Sequence, residues 1–119
     1  MDHSIVHFEI PATDPEALAA FYHGLFGWKL ERWEGGGDYW MIETAPENRG
    51  MNGGMMRRER PEQQPINYIS VESVAEFSRK IEDLGGTITM PKTEVPKMGY
   101  FALAVDPQGN RFGVWEQIG

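Results

Sequence analysis

The sequence predicts an α+β fold of two tandem βαβββ modules, residues 4–58 and 65–118, joined by a linker over 59–65 within a single domain, 1–119. Three observations predict it. Strand-period and helix-period segments follow one another in the same order twice. A polar stretch with two prolines, Glu59 to Pro65, separates the two rounds. The letters repeat as well. Leu25-Phe26-Gly27 and Gly54 recur at one constant offset as Leu84-Gly85-Gly86 and Gly113. Tyr39-Trp40 and Pro46 recur at nearly the same offset as Tyr100-Phe101 and Pro107. A module of this size is too small to bury its own sheet, so the two are expected to pack together.

In the first module, Val6, Phe8 and Ile10 alternate with His7 and Glu9, the period of a strand with one face on a core, and Pro11 is expected to end it. Thr13 or Asp14 can cap a helix with Pro15 at its first position and Glu16 in its first turn. Leu18, Phe21, Tyr22 and Leu25 fall at helical spacing, and Gly24 and Gly27 loosen the helix end. Trp28 to Trp33 and Tyr39 to Thr44 read as strands around a turn at Gly35-Gly36-Gly37-Asp38, and Pro46 to Gly50 turns again. Gly53 to Met56 reads as a fourth strand weakened by its glycines. In the second module, Ile66 to Val71 is a strand, and Ser73 with Glu76 forms a capping box. Val74, Phe77, Ile81 and Leu84 make the apolar stripe of a helix stopped by Gly85-Gly86. Strands follow at Thr87 to Met90, Gly99 to Val105 and Arg111 to Gln117, the last after a turn at Asp106 to Asn110.

The balance of 11 basic and 18 acidic residues, a net charge of −7, repels phosphate backbones and anionic lipid, so no nucleic acid and no membrane partner is expected. Arg57-Arg58-Glu59-Arg60 reads as a solvated stretch of linker. The apolar run Met98 to Val105 is too short to cross a bilayer. No signal-peptide pattern opens the chain, so the mature protein is expected to begin near Met1. With no cysteine, a disulfide framework, a thiolate zinc site and a cysteine nucleophile are excluded, and a cytoplasmic setting is expected. Gly35-Gly36-Gly37 does not open a helix, so it lacks the context of a phosphate-binding loop.

Val6-His7-Phe8-Glu9-Ile10, Asp14, Phe21-Tyr22, Leu25-Phe26-Gly27-Trp28, Phe77, Ile81, Leu84-Gly85-Gly86 and Ala104-Val105-Asp106-Pro107-Gln108-Gly109-Asn110 together resemble the vicinal oxygen chelate superfamily, which includes glyoxalases, bleomycin-resistance proteins and extradiol dioxygenases. The resemblance implies paired βαβββ modules whose mixed sheet curls into a cup with helices outside, and a homodimer. It also implies four metal-ligand positions. His7, in the first strand upstream of the Phe21-Tyr22 pair, fills the first. Gly113 stands in the last strand, after the Asp106 turn, where the family places a Glu. The counterparts of these two positions in the other module are Ile66 and Gly54. One donor in four predicts no metal and no cofactor.

If Phe8, Ile10, Ile69 and Val71 face the helices, strand parity puts His7, Glu9, Ile66, Tyr68, Ser70 and Trp115 on the cup wall, and Glu116 on the opposite face. His7 and Glu9 read either as an acid–base pair or as a solvated pair. Tyr68 and Trp115 read either as pocket walls or as filling of the core. The expected ligand-binding residues are thus His7, Glu9, Tyr68, Ser70 and Trp115, with a small organic ligand bound without metal and the catalytic residues unknown. Two alternatives remain open: a metal-dependent lyase or related glyoxalase-type enzyme with non-standard ligands such as Glu9, Glu43, His3 or His23, and a non-catalytic interaction protein.

Overall fold

The structure is a computed structural model that describes residues 2–35 and 37–118. Met1, Gly36 and Gly119 lie outside the described residues, so the middle of the Gly35–Gly37 turn and the two ends of the 1–119 domain carry no structural account. The described chain has two helices and eight strands in the predicted α+β order: β1 Ile5–Ala12, α1 Pro15–Phe26, β2 Lys29–Arg32, β3 Tyr39–Glu43, a short 3₁₀ turn Pro46–Asn48, β4 Gly53–Arg57, β5 Ile66–Ser70, α2 Val74–Asp83, β6 Thr87–Val95, β7 Gly99–Val105 and β8 Arg111–Gln117. Neither helix is long and apolar enough to cross a membrane. The chain divides into two compact units, residues 7–65 and residues 66–118 with the segment through Val6.

In the first unit the strands are ordered β2-β3-β4-β1; β1 and β4 run parallel and the other pairs antiparallel. Asp14, rather than Thr13, caps α1: its carboxylate accepts from the Ala17 N–H at 3.2 Å, and Pro15 follows where its missing N–H costs nothing. Gly27 at φ 74° ends the helix in the left-handed conformation that glycine adopts without strain. Leu18 and Ala19 of α1 pack on Ala12, Trp40, Ile42 and Met55, with Phe8, Ile10, Trp28 and Leu30 around them. Phe21, Leu25 and Phe26, by contrast, point away from that core, 56%, 57% and 60% exposed. Pro11 does not end β1, which runs on to Ala12 in register with Arg57. Proline lacks only the N–H, and the Pro11 carbonyl still accepts from Arg58 Nη2 at 3.3 Å. β4 forms with both of its glycines in the ladder, and a side chain at Gly53 would strike the ring of Phe8, so glycine is what lets that ring pack.

In the second unit the order is β5-β8-β7-β6, again with one parallel pair, β5 and β8. The Ser4 carbonyl accepts from the Ser70 N–H at 2.9 Å. Ser73 caps α2, its hydroxyl accepting from the Glu76 N–H at 3.1 Å. Val74, Phe77 and Ile81 bury against Val71, Ala102, Val114, Tyr100 and Phe112. Leu84 leaves the stripe and is 80% exposed, because the helix has ended at Asp83 before it can turn inward. β6 is longer than its periodicity predicts. It continues past Pro91 to Val95 by two register shifts, between Ile88 and Met90 and between Met90 and Thr93, which scramble the period-2 pattern.

The register reproduces the repeat read from the letters. Glu9 lies opposite Gly54 and Ile10 opposite Met55. Tyr68 lies opposite Gly113 and Ile69 opposite Val114, the same pairs shifted by the offset of the repeat.

Candidate functional site

The eight strands belong to one mixed sheet; in each unit a helix packs on one face of the strands, and the predicted site residues lie on the other. In the first unit, His7 and Glu9 alternate with Phe8 on β1 and share that face with Gly54, opposite Glu9. Tyr39 belongs to the same face, because it shares the parity of Met41, which is itself opposite Gly54. The Tyr39 hydroxyl donates to Glu9 Oε2 at 2.8 Å. A phenol has one proton, so the 2.8 Å contact between Tyr39 Oη and His7 Nε2 has the imidazole N–H donating to the phenol oxygen. His7 Nε2 stands 4.0 Å from Glu9 Oε2. The imidazole is held below its ordinary pKa by burial, and the nearby Glu9 carboxylate partly opposes that shift. Chemically the array is a neutral imidazole and a carboxylate joined through a phenol, able to orient a ligand's polar group and to pass a proton along the line. Strand parity puts His7 and Glu9 on one face, where the structure has them, and gives no sign of Tyr39 beside them. Its place depends on the antiparallel register of β3 on β4, which no local period reveals.

Trp33 packs edge-on to Tyr39, ring centres 6.1 Å apart, and extends the face toward β2. There a cleft of about 440 Å³ opens, lined by Lys29, Glu31, Trp33, Met41, Glu43 and Asn52 among others. Lys29 and Glu31 pair at 3.3 Å within that lining.

In the second unit, Tyr68 is buried, packs edge-on against Phe101 at 6.3 Å and covers Gly113, where a β-carbon would strike the Tyr68 ring. Trp115 lies over Gly99, half-buried, and its indole N–H donates to Gln117 Oε1 at 2.9 Å. Ser70 is opposite Trp115 in the ladder. Tyr68 therefore reads as a packed residue of this face and Trp115 as a more open one.

The four metal-ligand positions of the resemblance now have surroundings. At Gly54 the space a ligand side chain would take is filled by the Tyr39 ring, and at Gly113 by the Tyr68 ring. The Nε2 atom of His7 is engaged with Tyr39, and Ile66 offers no donor. Among the described residues no three His, Cys, Asp or Glu side chains are grouped to hold a metal ion. The residues present do not fit the family's divalent metal. The other donors are dispersed. His3 pairs with Glu72 at 3.0 Å, and His23 contacts the Trp28 carbonyl at 2.9 Å at the end of α1. Glu116 lies on the helix face, as parity predicted, where it accepts from the Val74 N–H at 2.9 Å and completes the start of α2. The basic stretch is not a solvated linker. Arg57 pairs with Asp38 at 2.9 Å, and Arg58 donates to Pro11 O, Thr13 Oγ1 and Gln63 O, tying the linker down.

Residues 4–114 match the sequence profile of the Glyoxalase/Bleomycin resistance protein/Dioxygenase superfamily, and the chain belongs to that family. It is similar to a Mycobacterium bovis protein named "Putative glyoxylase CFP32", 28% identical over 113 residues that make up 91% of this chain and 43% of the relative. It is also similar to the anthracycline biosynthesis protein DnrV of Streptomyces peucetius, 25% identical, covering 92% of this chain and 46% of the relative. The chain thus spans less than half the length of these curated relatives. Among solved structures, the hypothetical protein BH1468 of Bacillus halodurans superposes with a TM-score of 0.73 at 13% identity, covering 100% of this chain and 97% of the other, which shows a shared fold.

Proposed function

We propose that this glyoxalase-superfamily domain binds a small organic ligand without a metal on the helix-free face of a unit, the one carrying His7, Glu9 and Tyr39 or the one carrying Tyr68, Ser70 and Trp115. One observation carries the reading: tyrosine rings fill both glycine positions at which the family places ligand side chains. The space of a metal site has become aromatic wall, and the remaining donors hydrogen-bond one another. Aromatic surface with a few convergent polar groups suits an organic molecule carrying a ring and a hydrogen-bonding group. The relatives' names, "Putative glyoxylase" and "Anthracycline biosynthesis protein", support a small organic molecule as the ligand. A net charge of −7 and the absence of cysteine fit a cytoplasmic binder of neutral or cationic molecules better than a binder of nucleic acid or anionic membrane.

Elemental analysis of protein purified without chelators is expected to show no stoichiometric metal, with melting unchanged by added zinc, nickel or manganese. A thermal-shift screen of aromatic and carbonyl compounds is expected to give hits that Trp115→Ala weakens and the surface change Glu82→Ala leaves alone. About one metal per chain, lost in His7→Ala, would overturn the reading and favour the metal-enzyme alternative.

A further inference from the structure

The cleft beside β2 has a chemistry of its own. Lys29 lies opposite Glu43 in the β2–β3 ladder, and Glu31 opposite Met41. Met41 is in turn opposite Gly54, so these side chains stand on the helix-free face of the first unit. Trp33 keeps the same parity, its N–H still donating to the Tyr39 carbonyl at 2.8 Å just past the end of β2.

Trp33 is held in place by its neighbours. A β-carbon at Gly35 would strike the benzo ring of the indole, while Gly35 itself is not at positive φ. Glycine is required there by the ring and not by the backbone. Tyr39 meets the indole at 76°. The half-buried indole thus forms a fixed apolar wall of the cleft, with Met41 beside it. β2 is the edge strand of the sheet, and charges on an edge strand discourage pairing with another chain. A half-exposed indole set among them serves no such purpose, but it suits a flat ligand.

The charges determine which ligand. Of the two cations in the lining, Arg32 lies opposite buried Trp40 on the other face, its guanidinium 5.1 Å over that ring and bonded to Asp38 at 2.8 Å. Lys29 is paired with Glu31 at 3.3 Å. Glu43 is half-buried and makes no hydrogen bond or ion pair to another side chain among the described residues. An uncompensated carboxylate in a chain of net charge −7 attracts a cation, and so does the face of an indole. Trp33 is bonded to Tyr39, and Glu43 lies four residues further along β3, about 13 Å at the rise of a strand. Both side chains reach over Met41, so a ring on Trp33 brings an amine to Glu43 on a short spacer.

We propose that the cleft over Trp33 binds an aromatic organic cation, its ring on the indole and its protonated amine at Glu43. The site is distinct from the His7–Tyr39–Glu9 array and does not depend on which unit holds the other ligand.

Tryptamine, indole and indole-3-acetate share one ring and differ in charge. Titrated into the folded chain at low ionic strength and followed by amide NMR, tryptamine is expected to bind about tenfold tighter than indole. It is expected to shift the signals of residues 29–43, and indole-3-acetate to bind more weakly than indole. Glu43→Gln is expected to bring tryptamine within about threefold of indole. Glu43→Lys is expected to put indole-3-acetate first. Trp33→Ala is expected to lose all three, and Glu82→Gln, which removes the same charge from α2, to keep the wild-type order. A wild-type chain that binds none of the three at about 1 mM, or that prefers indole-3-acetate, overturns the proposal. So does tryptamine binding that survives Trp33→Ala and is lost in Trp115→Ala, which puts the ligand on the second unit. Should Trp33→Ala fail to fold, the order of the three compounds decides: its reversal in Glu43→Lys supports the site, and an unchanged order overturns it.

Discussion

Gly54 and Gly113 occupy the same register position in their modules, opposite Glu9 and Tyr68, and each lies beneath a tyrosine ring. The rings reach them by different routes. Tyr68 comes from the neighbouring strand directly opposite Gly113 and is buried, packed on Phe101. Tyr39 comes from β3, is only half-buried, and spends its hydroxyl on Glu9 and His7. One module has closed its glycine position by packing and the other by hydrogen bonding. The helices differ as well: both start from a side-chain cap, but α1 exposes Phe21 and Leu25 where α2 exposes Lys80, paired with Glu76, and Leu84. Duplicated scaffolds therefore preserve backbone register and core positions while leaving the remaining faces free to take on different chemistry.

The comparison is sharpest at paired positions. Met55 and Val114 are counterparts in the two cores, 0% and 3% exposed. Met55→Ala is expected to cost about 2–5 kcal/mol by the cavity it leaves. Val114→Ala is expected to cost less, since valine gives up fewer atoms. Urea unfolding of both variants checks this, and equal losses would show that the two cores are packed more alike than the burial indicates.

A smaller effect separates the glycines. Gly113→Ala must displace the ring of buried Tyr68 and is expected to cost about 1–3 kcal/mol by overpacking. In Gly54→Ala the ring to be moved is the less buried one, and Tyr39 can swing aside at the expense of its bonds to Glu9 and His7. Its stability loss is expected to be the smaller of the two. Its effect on His7 is expected to be the larger, read as a change in the imidazole titration by NMR. A Gly54→Ala protein with an unaltered His7 titration would break the distinction between packing and hydrogen bonding.

The smallest effect is one of pH. His7 has a folded-state pKa below its ordinary value of 6.5 because burial disfavours the imidazolium, so below pH 6.5 the unfolded chain binds more protons at this residue than the folded one. Stability is therefore expected to fall as the pH drops below 6.5, and His7→Gln is expected to flatten that slope between pH 6.5 and 5.5. Melting temperatures at the two pH values test it, and a slope that survives the substitution would assign the pH dependence to other groups.

Much of this protein was determined by sequence alone. The period-2 segments, the Asp14 and Ser73 caps, the stop at Gly85 and the turn at Asp106, whose carboxylate accepts from the Gln108 and Asn110 N–H groups, are all local consequences of side-chain chemistry and backbone freedom. Strand alternation placed His7 and Glu9 on one face and Glu116 on the other for the same reason, since it depends on nothing beyond the strand. Tertiary structure decided what depends on a neighbour. Pro11 continues a strand because β1 stays paired to β4 through Ala12 and Arg57, and β6 outruns its pattern because bulges keep it paired to β7. Arg58 is a clamp because Pro11, Thr13 and Gln63 surround it. Tyr39 joins the site because β3 pairs antiparallel to β4 with Met41 opposite Gly54, and Phe21 and Leu25 face outward because Leu18 and Ala19 already fill the space beneath α1. A helical stripe wider than its groove must leave part of itself outside, and which part is settled only when the two surfaces meet.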